Sequence, residues 1–226
     1  MKRAVNFRAI IFDMDGLVLD SEAGYFAAWR LAAERMGYDL SQAFCESLSG
    51  THGPVISQRL REYCGADFDI DVFYRLSGDI WHERVQSQGI PVKSGFHLLL
   101  KRIRELGLPY GLATNSRRTD AEKCLAWAGL GDVFPILICR DDVVNPKPAP
   151  DLYLQAAEHL GVDKQACLVL EDSPVGIAAA IAAGCPCLFI PSCLPADLQA
   201  CELADGVFQD LAQVADFVSA SFRHSL

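Results

Sequence analysis

Polar side chains stand directly after several short apolar runs of this sequence. They are carboxylates, a hydroxyl, an amide and an ammonium: Asp13 and Asp15, Thr114 and Asn115, Lys147, and Glu171 and Asp172. Taken singly, such residues are often helix caps, turn formers or solvated loop residues. If the apolar runs are parallel strands, however, their carboxyl ends meet at one edge of a sheet. We therefore expect these side chains to converge in one crevice.

Such a group of side chains is typical of a site that holds a divalent cation. Four carboxylates in one crevice would repel one another strongly unless a cation lay among them. Oxygen ligands with no softer donor nearby favour Mg²⁺. The sequence therefore predicts a Mg²⁺ site beside one lysine.

The elements that must position these residues alternate along the chain. Short, nearly all-apolar runs indicate strands buried on both faces: Ala9–Phe12, Tyr110–Ala113, Ile136–Cys139, Cys167–Leu170 and Cys187–Ile190. Between them lie helical patterns, each followed by a glycine: Phe96–Leu106, Thr119–Ala128, Leu152–Leu160 and Val175–Ala183. This alternation predicts an α/β fold, a Rossmann-like parallel sheet covered by helices.

One interval interrupts the alternation. Residues 21–89 contain no buried-strand run but show helical patterns around Glu22–Met36, Pro54–Tyr63 and Val72–Gln88. We interpret this interval as a helical insertion after the first strand. The predicted domains are an α/β core of residues 1–20 and 90–226 and a helical cap of residues 21–89.

Composition limits the possible partners and location. The net charge of −9 argues against nucleic acid as a partner, but it is compatible with a small phosphorylated metabolite, since one lysine and one metal ion can set the local field. The uncharged stretch 173–196 is punctuated by proline and glycine, so we expect no membrane span. Nine cysteines without a CxxC pair favour reduced thiols, and the basic start is followed by too short an apolar run for a signal peptide. We expect a soluble cytoplasmic protein, monomeric or homodimeric.

Four motifs, in order, carry a resemblance to a known family. They are Asp13-Met-Asp15-Gly16, Thr114-Asn115, Lys147 with its flanking prolines, and Glu171-Asp172-Ser173. The chain resembles the haloacid dehalogenase-like hydrolases, within them the group with a helical cap inserted after the first strand. The resemblance extends from about residue 7 to about residue 218.

The resemblance implies a role for each residue of these motifs. Asp13 is the expected nucleophile, which forms an aspartyl-phosphate intermediate. Mg²⁺ is expected on Asp13, on Asp172, on the backbone carbonyl of Asp15, and on Glu171 directly or through water. Asp15 is the expected general acid and base, and Lys147 offsets negative charge. The remaining assignments are phosphate contacts by Thr114 and the Asn115 amide and a sharp turn at Gly16.

The resemblance also separates the possible reactions. The dehalogenases of this family lack the second aspartate, so Asp15 favours phosphoryl chemistry. Mutases of the β-phosphoglucomutase type carry a cap histidine where this chain has Tyr25, and the cap arginine that grips a second phosphate has no match in residues 49–53. We predict a Mg²⁺-dependent phosphatase of a sugar-phosphate type of metabolite; the alternatives are a phosphomutase and a catalytically silent regulator. Glu22, Tyr25 and His52 are the predicted cap contacts, although His52 before Gly53-Pro54 also fits a turn.

Overall fold

Across the described residues, six parallel strands form one sheet. The computed structural model describes residues 5–48, 53–193 and 195–222. The strands are β1 Ala9–Phe12, β2 Tyr110–Ala113, β3 Leu137–Ile138, β4 Cys167–Glu171, β5 Cys187–Phe189 and β6 Gly206–Val207. Their order in the sheet is β3-β2-β1-β4-β5-β6. This arrangement confirms the predicted α/β fold.

Ten α-helices accompany the sheet in the described part of the chain. They are α1 Ser21–Arg35, α2 Gln42–Glu46, α3 Gly53–Cys64, α4 Ile70–Gln88, α5 Phe96–Glu105, α6 Arg118–Trp127, α7 Asp151–Leu160, α8 Pro174–Ala183, α9 Leu198–Leu203 and α10 Leu211–Phe222. Within the described residues, none of these helices has the length and apolar character that a membrane span requires.

The chain divides into two compact units. The first, here called the sheet unit, comprises Met1–Asp20 and Pro91–Leu226. The second, the helical unit, comprises Ser21–Ile90 and contains α1 to α4. The helical unit has its own apolar core, in which Ala28 of α1, Leu60 of α3 and Phe73 of α4 are buried.

Register in the centre of the sheet brings three strand ends side by side. Phe12, the last residue of β1, pairs with Leu112 of β2 and with Leu170 of β4. All four residues of β1 and all five of β4 are buried, which agrees with strands covered on both faces. The polar residues that follow β1 and β2 and end β4 must therefore lie at neighbouring positions on one edge.

The observed elements follow the predicted ones closely where the pattern is long enough. Strands β1 and β2 have the predicted bounds, whereas β3 keeps only the middle two residues of the predicted run. Helix α4 begins two residues earlier than predicted, because the Asp69 side chain accepts hydrogen bonds from the backbone N–H groups of Asp71 and Val72 and so caps the helix there.

Four elements have no counterpart among the predicted runs and patterns. Helices α2 and α9 and strand β6 have five, six and two residues, too few for a periodic signal. Helix α10 is different, since its buried Leu211, Val214, Ala215 and Val218 recur at helical spacing. The sequence periodicity is therefore sufficient to predict α10, unlike the three shorter elements.

Gly95, which precedes α5, supplies a stability test of the sheet unit. Its φ is +84°, and an added Cβ would lie 2.1 Å from the backbone nitrogen of Ala212 in α10. We expect Gly95→Ala to lower the free energy of unfolding by about 3 kcal/mol, from left-handed backbone strain and overpacking together. Gly129→Ala is the matched control, with φ +71° and nothing within 4 Å of the added Cβ. It should cost only about 1 kcal/mol, and equal losses in urea denaturation would contradict the proposed clash with α10.

Candidate active site

Three strands deliver buried polar residues to one edge of the sheet. The backbone N–H of Asp13 donates to Leu170 O at 3.0 Å, and that of Thr114 donates to Ile138 O at 3.0 Å, so both residues continue the strand ladders. Asp13, Thr114 and Glu171 are all buried. The side chains predicted from strand ends are thus brought together by the pairing of the sheet.

The Lys147 ammonium joins these strand ends. Its Nζ donates to Asp13 Oδ1 at 2.5 Å, to the backbone carbonyl of Ala113 at 2.9 Å and to Glu171 Oε1 at 2.8 Å. A lysine ammonium has three N–H donors, and each of them has an acceptor here. The side chain is 4% exposed, so these contacts are shielded from water and its screening.

Glu171 is held by protein donors on both of its oxygens. Oε1 accepts from the Tyr153 hydroxyl at 2.6 Å as well as from Lys147. Oε2 accepts from the backbone N–H groups of Asp172 and Ser173 and from the Ser173 hydroxyl, at 3.0 to 3.1 Å. A Cβ on Gly176 would lie 1.7 Å from Oε1, so only glycine fits at this point of α8. The Glu171 carboxylate is therefore fixed in one orientation.

Asn115 fixes the loop that carries the lysine. Its side-chain oxygen accepts from the backbone N–H of Lys147 at 2.9 Å, and its Nδ2 donates to the Lys147 carbonyl at 3.2 Å. Both polar atoms of the Asn115 side chain are thus bonded to the Lys147 backbone. Contact between its backbone amide and phosphate stays a prediction.

Asp15 lies in a different environment from Asp13. The Ser116 hydroxyl donates to Asp15 Oδ2 at 2.9 Å, and the backbone N–H of Ser116 donates to Thr114 Oγ1 at 3.0 Å. Asp15 is partly exposed, whereas Asp13 is buried. Two carboxylates two residues apart therefore have separate surroundings, which suits them to separate tasks.

The carboxylates have the composition of a divalent metal site. Asp13, Glu171 and Asp172 each offer an oxygen, and these oxygens lie within 4.8 Å of one another. If all three are ionised, they leave two negative charges in excess of the Lys147 ammonium, the charge that a divalent cation supplies. Gly16, at φ +85°, makes room for this group, since a Cβ there would lie 2.0 Å from Asp172 Oδ2. The acidic cluster fits a hard divalent cation.

Burial and charge set the protonation of the central groups. Burial raises the pKa of Asp13 from 3.8 to about 8, with Lys147 opposing the rise and Glu171 adding to it. Burial would lower the pKa of Lys147, but the Asp13 and Glu171 carboxylates raise it above its ordinary value, so the ammonium stays charged. Burial and the charge of Glu171 raise the pKa of Tyr153, which keeps its hydroxyl a donor.

Two of the three predicted cap residues, Glu22 and Tyr25, belong to the helical unit. Tyr25 stacks on Trp81 of α4, with ring centroids 4.7 Å apart and planes 4° apart. Glu22 belongs to α1, and its side chain is not described. His52 lies outside the described residues. Substrate contacts by these three residues stay predictions.

The sequence does not indicate Tyr153 as a site residue, and it assigns no role to Ser116, which follows Thr114-Asn115 at the end of a predicted strand. Buried Tyr153, Ala156 and Ala157 recur at helical spacing in α7, so burial of the ring could have been predicted. The hydroxyl partner, Glu171, is 18 residues away, and the Ser116 partner, Asp15, is 101 residues away. No local pattern indicates either bond.

The chain is similar in sequence and in fold to known hydrolases and phosphatases. Residues 10–190 match the family model described as haloacid dehalogenase-like hydrolase. The chain is 32% identical over 189 residues to the fructose-1-phosphate phosphatase of Escherichia coli (strain K12), covering 79% of this chain and 93% of the relative. It is 29% identical over 207 residues to hexitol phosphatase A of the same organism, covering 92% and 93%. A solved HAD family hydrolase from Deinococcus radiodurans R1, with bound phosphate and sodium, is 25% identical with a TM-score of 0.82, covering 96% and 97%.

The raised pKa of Asp13 predicts how stability depends on pH in cation-free protein. Between about pH 4 and 8, Asp13 is protonated in the folded state but ionised in the unfolded state. The free energy of unfolding should therefore fall as pH rises through this window, with a slope of at most about 1.4 kcal/mol per pH unit from this group. Urea denaturation in chelator at pH 5 to 8 measures it, and Asp13→Asn should remove this component. Asp132→Asn, on the exposed surface, is the control, and equal slopes in wild type and Asp13→Asn would contradict the assignment.

Proposed function

The chain belongs to the haloacid dehalogenase-like hydrolases, and on that premise we propose that it is a Mg²⁺-dependent phosphatase of a small sugar phosphate. The observation that carries this proposal is the buried Asp13 carboxylate, 2.5 Å from the Lys147 ammonium and beside Asp172 in an acidic cluster. An anionic nucleophile needs such compensation before it can approach a phosphate dianion.

The acidic cluster is the proposed site of the magnesium ion. Asp13 and Asp172 supply carboxylate oxygens, and the backbone carbonyl of Asp15 is the further ligand that family resemblance assigns. When bound, the ion would offset the negative charges of carboxylate and phosphate, so that the two groups can approach. Hard oxygen donors, without sulfur or imidazole in the described acidic cluster, support Mg²⁺ as the ion.

In the proposed first step, the phosphoryl group moves from the substrate to Asp13. A carboxylate oxygen of Asp13 attacks phosphorus, and the bond between phosphorus and the leaving oxygen breaks. Asp15 gives its proton to that oxygen, which leaves as an alcohol. Lys147 remains on Asp13 throughout, while Thr114 and the Asn115 backbone amide bind phosphate oxygens.

In the proposed second step, water releases the phosphate. Asp15, now ionised, takes a proton from the water as its oxygen attacks the phosphorus of the aspartyl-phosphate. The bond between phosphorus and Asp13 breaks, which returns the Asp13 carboxylate and yields inorganic phosphate. The Ser116 hydroxyl, 2.9 Å from Asp15 Oδ2, supports this role because it orients the carboxylate between the two proton transfers.

The names of the relatives support a sugar or sugar-alcohol phosphate as substrate. The two curated relatives are named for fructose 1-phosphate and for hexitol phosphates. The net charge of −9 is compatible with a small polyol phosphate as substrate, because the local field of the site, rather than the overall charge, attracts the phosphate. Nine cysteines without a CxxC pair support the cytoplasm as the location, and the proposed state is monomer or homodimer.

Metal dependence and the nucleophile are tested together. Phosphate release from a panel of hexose and hexitol phosphates should require Mg²⁺, cease in chelator and return on addition of Mg²⁺. Asp13→Asn should lose at least about 10³-fold in rate, because a neutral amide is a much weaker nucleophile than a carboxylate. Asp132→Asn is the surface control and should retain activity. Absence of metal-dependent phosphate release would overturn the proposed phosphatase activity. Conversion of β-glucose 1-phosphate to the 6-phosphate faster than phosphate release would favour the alternative, a phosphomutase.

The acid role of Asp15 is tested by the choice of leaving group. In Asp15→Asn the leaving oxygen lacks a proton donor, so sugar phosphates, with alkyl leaving groups, should slow by about 10²- to 10⁴-fold. An activated aryl phosphate leaves as a stable phenolate and should slow much less. The ratio of the two rates, measured in the variant and in wild type, is the readout. Equal slowing of both substrates would count against the assigned role.

A further inference from the structure

We propose that Tyr153 is a positioning residue for Lys147, whose hydroxyl fixes Glu171 as the buried partner of the lysine and keeps the ammonium on Asp13. The inference rests on the proposed function, because it assigns a kinetic effect to the position of the ammonium. It adds to the site a residue outside the four motifs.

The Tyr153 hydroxyl and the Lys147 ammonium share one oxygen. Tyr153 donates to Glu171 Oε1 at 2.6 Å, and Lys147 Nζ donates to the same atom at 2.8 Å. The Tyr153 ring also lies beside the ammonium, with Nζ 4.8 Å from the ring centroid. Tyr153 therefore touches both members of the buried ion pair, once through its hydroxyl and once through its ring face.

The bonds to Glu171 leave it little capacity for a metal ion. Its two oxygens accept five hydrogen bonds from protein donors, and a carboxylate offers about four lone-pair sites. Glu171 is 0% exposed, and the backbone of Gly176 closes against Oε1. We infer that Glu171 acts as counter-charge to Lys147 and that direct ligation of the cation falls to Asp13 and Asp172.

The hydroxyl matters because two carboxylates compete for one ammonium. Asp13 and Glu171 each accept one N–H of Lys147. Tyr153 supplies Glu171 with a second strong donor, which reduces the pull of this carboxylate on the ammonium. Without the hydroxyl, Oε1 of Glu171 is left with Lys147 alone in a dry environment, where an incompletely bonded carboxylate is costly. The ammonium should then move towards Glu171 and away from Asp13.

Tyr153→Phe isolates the hydroxyl, because it keeps the ring beside the ammonium. Tyr110→Phe is the matched control: its hydroxyl, which is part-buried, is also bonded, donating to Val133 O at 3.0 Å, in the same unit of the chain. We expect Tyr153→Phe to lower kcat for an aryl phosphate about tenfold at saturating Mg²⁺, with KM changed by less than about twofold, because the ammonium acts on the nucleophile after substrate binds. Tyr110→Phe should leave kcat unchanged, although both variants lower the melting temperature.

The outcomes separate the inference from the proposed function. If wild type releases phosphate and Tyr153→Phe keeps its kcat while losing stability like Tyr110→Phe, the residue is only structural and the inference is wrong. If wild type shows no release with any phosphate tested, the proposed function fails, and a crystal structure of Tyr153→Phe decides the inference. Lys147 displaced from Asp13 would support positioning. Lys147 and Glu171 unmoved would overturn it.

Discussion

The remaining arrangement depends on the hydrogen bonds that the Lys147 ammonium donates to carboxylates at two strand ends. The three acceptors of the ammonium belong to the segments that end β1, β2 and β4, and the Lys147 side chain is only 4% exposed. A buried ammonium is tolerated only when every N–H has a partner, and buried carboxylates are tolerated only with a compensating charge. The strand order, in which β1 lies between β2 and β4, brings the Asp13, Ala113 and Glu171 acceptors within reach of one side chain.

The loop that carries the lysine must be as well fixed as the strands. Asn115 bonds both the N–H and the carbonyl of Lys147, so a residue at the end of β2 sets the position of a backbone 32 residues later. Tyr153 and Gly176, from helices α7 and α8, enclose Glu171 from the other side. Each of these contacts limits the movement of the ammonium. Many hydrogen-bonding groups at this edge of the sheet therefore hold other side chains in position instead of binding a ligand.

The sequence predicted the central strands, most of the longer helices and the motif residues, but few of the bonds among them. Apolar runs identified the central strands because a strand buried on both faces needs uninterrupted apolar residues. Parallel pairing then implied that the polar residues at their ends converge. The bonds of Tyr153 to Glu171 and of Ser116 to Asp15 depend on the spacing and twist of neighbouring strands and helices, which no local pattern encodes. Single short elements, such as the two residues of β6, are likewise set by tertiary pairing alone.

Asp13 and Asp15 illustrate how one short segment serves two kinds of chemistry. Asp13 continues the β1 ladder and is buried against the ammonium, so its charge depends on a bound cation as well as on Lys147. Asp15 has left the ladder, is partly exposed and accepts from a serine hydroxyl, whose rotation can follow a carboxylate that gains and loses a proton. A nucleophile needs its charge held in place, whereas an acid and base must exchange its proton with the reacting oxygen. The turn at Gly16 brings Asp172 against the backbone at the end of this segment. Within the segment, the difference in burial between Asp13 and Asp15 separates the role of nucleophile from that of acid and base.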